Sequence, residues 1–376
     1  MLLLVSMKNK GEVDKFFLTI ILLLSGIGAI IFVSASFGIL AGNRETFNSI
    51  LVSQLVLGLG GGSILCYLTS KIHYKKWRSH SLALFILGVI FCGLVFVPGL
   101  GAEYNGAKRW LSLGPLSFQP AELLKIVAVI YLAAWLSYST KKGHKFVYSV
   151  IPLFAVLLVS ASVLLMQPDT KSFILISGAT LAMFLVSGVN WKYIVSIGVI
   201  CILFLGMVLV FRPYTLERVE TFLNPSLDEQ GSGYQLKQSL IAIGAGGAFG
   251  RGLGQSVQKF TYLPEPHGDS IFAVLGEEFG FLGTTVIVLL YMAMGLRGLK
   301  IAKASPDMFG RLLVVGIVIL FVGQSFLNIF SMIGLFPLTG VPLIFISHGG
   351  TALLFSFVAV GIILNVSRYS ALSNNQ

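Results

Sequence analysis

Charge is what this sequence has least of. Asp, Glu, Lys and Arg make up 11% of its 376 residues, against 56% hydrophobic residues and a mean hydropathy of +0.89. A water-soluble domain carries about a quarter charged residues, so that class is excluded and a polytopic membrane protein remains. Cysteine is nearly absent: Cys66, Cys92 and Cys201 all fall inside apolar runs. A disulfide framework is therefore not expected, and no metal-ligand spacing occurs. The chain has no Walker A sequence, no HExxH and no GxSxG, so ATP-driven and zinc chemistry have no support. Little sequence is left over for a globular module, so residues 1–376 read as one integral membrane domain.

What is present is a series of long apolar runs. A spanning helix needs about 20 such residues. On that basis ten spans are expected, near 16–40, 49–70, 81–98, 119–138, 147–166, 172–188, 193–212, 270–294, 310–333 and 341–366, the sixth being short. The predicted fold is an all-α polytopic bundle. The first run exceeds a signal-peptide core and lacks a small-residue cleavage site, so it reads as a span. Met7-Lys8-Asn9-Lys10 looks like an ordinary start, which makes Met7 an alternative initiator to Met1.

The net charge of +11 would point a soluble protein toward nucleic acid. In a membrane protein it marks loops beside anionic lipid. Alternate loops are basic: Lys8/Lys10/Lys15, Lys71/Lys75/Lys76/Arg78, Lys141/Lys142/Lys145, Lys192, Arg297/Lys300/Lys303/Arg311 and Arg368. The positive-inside rule then places both termini in the cytoplasm, as tails 1–15 and 367–376. The 99–118 loop, the Pro168–Lys171 turn and a long polar loop, 213–269, between the seventh and eighth spans face outward. Glu45, Glu103, Asp169, Glu217, Glu220, Asp228, Glu229, Glu265 and Asp269 all fall on that outer side.

A loop this long is uncommon unless it carries function. Its charged residues suggest chemistry on a charged substrate at a membrane surface. Within it, Ser239–Gly254 (SLIAIGAGGAFGRGLG) is too short and broken to span; a re-entrant or surface-lying segment and a plain flexible loop both fit.

Candidate residues follow from position and type. Asp269, just before a helical run, reads either as an N-cap or as a general base flanked by His267 and Glu265. Lys108-Arg109 reads as a pyrophosphate-binding pair or as interfacial cations beside Trp110. Glu122 and Lys125, three apart on the fourth span, share a helix face and form either a functional site or a structural ion pair. Asp169 is an outward turn residue, with an ordinary turn role as the plain alternative. One of Glu277 and Glu278 is expected to face a polar interior. Ser347-His348-Gly349-Gly350-Thr351 reads as a helix-packing kink.

Several blocks together resemble one family. Asn105–Lys125 (NGAKRWLSLGPLSFQPAELLK), Gln167-Pro168-Asp169, Gly233-Tyr234-Gln235 with Gln238-Ser239, Leu263–Gly280 (LPEPHGDSIFAVLGEEFG) and Gly340–Arg368 are similar, in order, to the SEDS proteins of shape, elongation, division and sporulation. The similarity runs from the second span to the end. Within the family it is nearer the FtsW type than the RodA type, on Ser239–Gly244, Thr351 and Leu364–Arg368. Three departures stand out. The chain has His267-Gly268-Asp269-Ser270 where the family usually reads HTDF, Thr170-Lys171-Ser172 where LGT often follows the QPD aspartate, and His348 where Tyr is common.

The resemblance implies a ten-helix peptidoglycan glycosyltransferase that polymerises lipid II on the outer leaflet. It puts the essential loop aspartate on Asp269, the intramembrane acid and base on Glu122 and Lys125, the QPD aspartate on Asp169 and the basic pair on Lys108 and Arg109. The expected substrate-binding set is Lys108, Arg109, Glu122, Lys125, Asp169 and His267. It further implies a class B penicillin-binding transpeptidase as partner, with other division proteins at the division site. No cofactor is required, though a divalent cation would be compatible. A lipid II flippase, the RodA-type elongation polymerase and a non-catalytic division scaffold are the rival readings.

Overall fold

The computed structural model describes residues 11–370 apart from 43, 105–106, 114–115, 143–145, most of 190–212, 225–227 and 229. The chain is mostly helical. Among the described residues, six helices are long and apolar enough to cross a membrane: Lys15–Leu40, Arg44–Lys71, Pro120–Thr140, Ile271–Lys303, Met308–Met332 and Gly350–Arg368. Ser81–Leu94, Val150–Met166 and Thr170–Val186 are shorter apolar helices in the same series. The expected span at 193–212 lies mostly outside the described residues.

We label the helices α1 (Lys15–Gly42), α2 (Arg44–Lys71), α3 (Lys75–Ser79), α4 (Ser81–Leu94), α5 (Pro120–Lys141), α6 (Phe146–Met166) and α7 (Thr170–Val186). After the undescribed stretch come α8 (Pro213–Leu223), α9 (Ser232–Ala245), α10 (Gln258–Thr261), α11 (Ile271–Lys303), α12 (Met308–Met332) and α13 (Gly350–Arg368). Helices α5, α7, α11, α12 and α13 supply most of the buried core, with Leu124, Ala128, Met183, Ile287, Leu313 and Ile363 among residues with essentially no exposure.

Helix ends follow local chemistry. Pro120 opens α5 at a position where its missing N–H costs nothing. Asp169 caps α7 by accepting from the Ser172 N–H, and Asp307 caps α12 by accepting from the Gly310 N–H. Helix α2 is π-helical over Val52–Gly61. Buried Gln54 in that stretch accepts from the Gly349 N–H at 2.9 Å and donates to Ser347 O at 2.9 Å, clamping the chain that enters α13.

The all-α expectation needs one correction. The 99–118 loop is a three-stranded antiparallel sheet of β1 (Gly101–Tyr104), β2 (Ala107–Leu113) and β3 (Leu116–Phe118), in the order β1-β2-β3. Leu111 pairs with both Gly101 and Phe118, and a bulge falls between Ala102 and Glu103. A search for apolar windows the length of a span cannot see strands this short. The last apolar run, expected to span at 341–366, also forms a shorter helix than expected. Residues 341–349 are irregular and α13 begins only at Gly350, because Phe345 and Gly349 take positive φ values of 67° and 159°.

Ser239–Gly254 neither spans nor floats. Helix α11 breaks at Gly280 (φ 66°), which would strand backbone groups inside the helix. The glycine-rich segment takes them up. Phe281 N–H donates to Gly247 O at 2.9 Å and Leu282 N–H to Ala248 O at 3.1 Å. In return, Arg251 and Gly252 N–H donate to the carbonyls of Glu277 and Glu278 at 2.9 and 3.0 Å. Two irregular segments thus satisfy each other, the condition for broken backbone at membrane depth. The approach is too close for side chains: a Cβ on Gly250 would lie 2.1 Å from Glu278 O.

Candidate functional site

The starts of α5, α7, α11 and α13 meet at one end of the bundle. Tyr74–Asp307 (2.8 Å) and Asp14–Arg297 (2.7 Å) tie the opposite end. At the first end, backbone carbonyls of the 338–349 segment accept from Arg218, Lys171, Asn328, Gln324 and Gln54.

Asp269 ends the long loop. It does not cap α11: Ser270 holds the N-cap position and makes no side-chain cap bond. The Asp269 carboxylate instead accepts from Gln235 Nε2 of α9 at 3.0 Å, and the same amide donates to Ser270 Oγ at 2.9 Å. Asn328 of α12 fixes the backbone, donating to Asp269 O at 2.7 Å and to Val341 O at 2.8 Å. On its other side, a Cβ built on Gly340 would be 3.5 Å from Asp269 Oδ2 and 3.8 Å from Arg218 Nη1. Arg218 donates to Leu338 O at 2.6 Å. Burial pushes the Asp269 carboxyl above the usual carboxylate range; Lys171, Arg218 and the Gln235 amide pull it down while Glu265 raises it further.

The two aspartates therefore exchange the roles that position suggests. Asp169, expected in an ordinary turn, is the helix cap, buried and accepting from Ser172 Oγ at 2.7 Å as well as from its N–H. Its turn is held by Arg109, which donates to Gln167 O at 3.1 Å and Pro168 O at 2.5 Å. Pro168 sits at φ 30° there, and Gln167 anchors the turn to α4 through Cys92 O at 2.7 Å.

Lys108 and Arg109 do not act side by side. They are neighbours on β2, so their side chains leave opposite faces of the sheet. Lys108 is exposed and lies 4.0 Å from Glu103, while Arg109 turns inward onto the Gln167-Pro168 carbonyls.

Glu122 and Lys125 pair at 2.9 Å with both side chains under 10% exposed. Lys125 Nζ also donates to Gln324 Oε1 at 2.8 Å, and Gln324 Nε2 donates to Pro342 O at 3.0 Å. The buried pair thus reaches the same segment that flanks Asp269. Two small recesses share Gln324, Ile344 and Ser356; one is lined by Glu122 and Lys125, the other by Ser347 and His348.

His267 lies beside Asp269 and against His348, with ring centroids 5.5 Å apart, and its carbonyl accepts from the His348 N–H at 2.8 Å. Burial lowers the His267 pKa, opposed by Asp269, and burial with the neighbouring His267 pushes His348 down to about 4. Burial favours the neutral form of both rings. The 347–351 kink is thus a packing feature that also seats an imidazole at the site. Glu277 and Glu278 both face the interior, not one of them. Glu278 pairs with Lys259 at 2.6 Å with neither side chain exposed, and Glu277 accepts from Ser256 Oγ, Val257 N–H and Gln258 N–H.

Among the described residues no three His, Cys, Asp or Glu side chains converge as a metal would require. The residues that sequence reasoning left out are Lys171, Arg218, Gln324 and Asn328. Gln235 was present in a matched motif without a role. All are polar side chains on or beside apolar helices, a signal that does not say which partner they meet.

The description "cell cycle protein", for the family of FtsW, RodA and SpoVE, fits residues 14–372 of this chain. The chain belongs to that family. It is 38% identical over 363 residues to "Stage V sporulation protein E" of Bacillus subtilis (strain 168), covering 96% of this chain and 99% of that one. It is 36% identical to "Probable peptidoglycan glycosyltransferase FtsW" of Trichlorobacter lovleyi (strain ATCC BAA-1151 / DSM 17278 / SZ), covering 95% and 93%. A chain of the solved structure "Structural coordination of polymerization and crosslinking by a peptidoglycan synthase complex" superposes with a TM-score of 0.78 at 26% identity, over 95% of this chain and 98% of that one. The crystal structure of Thermus thermophilus RodA shares the fold, with a TM-score of 0.69 at 24% identity over 96% and 98%. Family membership and the spanning helices make this a multi-pass membrane protein.

Proposed function

We propose that this protein is a peptidoglycan glycosyltransferase that polymerises lipid II into β-1,4 glycan strands, with Asp269 as general base. The observation that carries the reading is the Asp269 carboxylate itself. It is withdrawn from the helix it precedes, held by Gln235 in a partly buried cleft, and given a raised proton affinity by burial. A carboxylate so placed accepts a proton from a hydroxyl better than an ordinary surface aspartate does.

The reaction is an inverting displacement. The acceptor sugar's 4-hydroxyl attacks the anomeric carbon of the lipid-diphosphate donor, and the C–O bond to the diphosphate breaks with its electrons on the leaving oxygen. The hydroxyl proton passes to Asp269. Inversion turns an α-linked donor into a β-linked product. Both reactants are membrane-anchored, so one cleft that holds them supplies much of the advantage of proximity.

Glu122 and Lys125 act from within the bundle by fixing Gln324 and the 340–349 segment. Asp169 and Arg109 set the turn beside it, His267 walls the cleft, and Lys108 reaches solvent at its rim. Among the described residues the carboxylates and imidazoles do not gather around one point, so no step is assigned to a divalent cation.

The proposed topology has ten spans, with both termini cytoplasmic and the 213–269 loop outside, within one membrane domain. The basic 71–80, 300–311 and 368 segments then face the cytoplasm, and Asp269 faces the outer leaflet. The partner is a class B penicillin-binding transpeptidase, acting with other division proteins in the cytoplasmic membrane at the division site. Likeness to a chain of a peptidoglycan synthase complex supports the partner class.

The test is to incubate the purified protein, with and without its cognate transpeptidase, with labelled lipid II in detergent. Glycan polymer that disappears with Asp269→Asn is the expected result. No polymer in any combination, with lipid II crossing liposome bilayers instead, would replace the polymerase by a flippase.

A further inference from the structure

Lys171 lies two residues past Asp169, at the start of α7. Its Nζ donates to the carbonyl of Gly340. Gly340 is the residue that abuts both Asp269 Oδ2 and Arg218. The ammonium is therefore at the edge of the Asp269 cleft, where the charges of Asp169, Arg109, Asp269 and Glu122 all act on it.

What it lacks is an ion pair. Among the described residues no carboxylate lies within 4.0 Å of Lys171, and none lies that close to Arg109. Asp169, the nearest acid in sequence, spends both oxygens on Ser172. Lys171 and Arg109 are each held by backbone carbonyls, which fix their position without a direct ion pair. An ammonium has three N–H donors, so one bond to Gly340 leaves two to give. A preplaced cation without a direct ion pair, at the rim of a partly buried cleft, is a site for an anion.

We propose that Lys171 binds the diphosphate of the lipid-linked donor and stabilises it as it leaves, an inference that rests on the polymerase reading above. The geometry of an inverting displacement asks for this relationship. The base sits on the acceptor's side of the anomeric carbon and the leaving oxygen on the far side, so the leaving-group cation must be near the base without bonding to it. Lys171 meets that condition. As the C–O bond breaks, its electron pair stays on the phosphate oxygen, the acceptor's proton goes to Asp269, and Lys171 keeps its own proton while pairing with the new negative charge. Lys108, on the outward face of β2 and 4.0 Å from Glu103, is less well placed.

Two substitutions separate charge from scaffolding. Lys171→Gln keeps an N–H for Gly340 O and loses the charge; Lys171→Arg keeps the charge. On the full-length protein in detergent, inorganic pyrophosphate should raise the unfolding temperature of the wild type and of Lys171→Arg, and leave Lys171→Gln unmoved. In lipid II polymerisation, Lys171→Gln should lose kcat by about 10²-fold while Lys171→Arg recovers most of it. A Lys171→Gln protein that polymerises normally, or a wild type that pyrophosphate does not stabilise, overturns the proposal. A wild type that makes no polymer yet loses pyrophosphate stabilisation on Lys171→Gln would leave the anion site standing and remove the polymerase reading.

Discussion

Lys125 Nζ donates to Gln324 Oε1 across 2.8 Å, 199 residues away in sequence, while also pairing with Glu122 at 2.9 Å. The ammonium is shared between a carboxylate on its own helix and an amide on α12. Through that amide it holds Pro342, one residue from the carbonyl that Asn328 grips together with Asp269.

Removing one member of this pair leaves a buried, uncompensated charge. Lys125→Met should destabilise the protein by about 3–5 kcal/mol, and adding Glu122→Gln to it should recover part of the loss. Thermal unfolding in detergent of the two single variants and the double variant checks this. A double variant as unstable as the sum of the singles would mean the pair does not act as a unit.

Asp269→Asn should lower polymerisation by about 10²–10⁴-fold without harming the fold. The stability sign follows from the raised pKa. The folded state holds the Asp269 proton more tightly than the unfolded chain does. Its favourable contribution is therefore complete below the unfolded pKa and is lost as pH rises through the folded one. At neutral pH the ionised carboxylate is a cost, so Asp269→Asn should melt at or above the wild-type temperature. Activity of the wild type should fall on acidification at a pH above the ordinary aspartate range. A variant that melts well below wild type would show that Asp269 is structural.

His348 titrates in the opposite sense. Burial and His267 push its pKa down to about 4, so the unfolded chain binds its proton first. The stability gained from burying a neutral ring is full above the unfolded value of 6.5 and drains away as pH falls toward 4. His348→Phe keeps an aromatic ring against Phe32 and should flatten the acid limb of the stability curve. Unfolding temperatures across pH 4–7 give the comparison. Equal acid sensitivity in the variant would assign the effect to other groups.

Gly280→Ala should loosen the long loop. At φ 66° an alanine is strained, and its Cβ would fall 2.3 Å from Gly250 N. The exchange of hydrogen bonds between α11 and residues 247–252 would open, exposing the loop to protease. Limited proteolysis before and after the substitution reads this directly; unchanged cleavage around 246–262 would rule the interlock out.

Sequence alone determined that this chain lives in a membrane and roughly where its helices run, because an apolar segment in lipid must satisfy its backbone internally. Fourth-span Glu122 and Lys125 were legible as a pair, since residues three apart on a helix are neighbours whatever surrounds them. The matched motifs placed Asp269 at the end of a functional loop. Local pattern could not say which aspartate caps a helix, because capping depends on where the chain turns. Nor could it show that Lys108 and Arg109 part company, since that follows from a strand too short for hydropathy to register. The contacts that build the cleft span 34 residues between Gln235 and Asp269, 59 between Asn328 and Asp269, and 169 between Lys171 and Gly340. No window along the chain contains such pairs. Only tertiary packing of the helices brings them within bonding distance, and with them the cations that face Asp269.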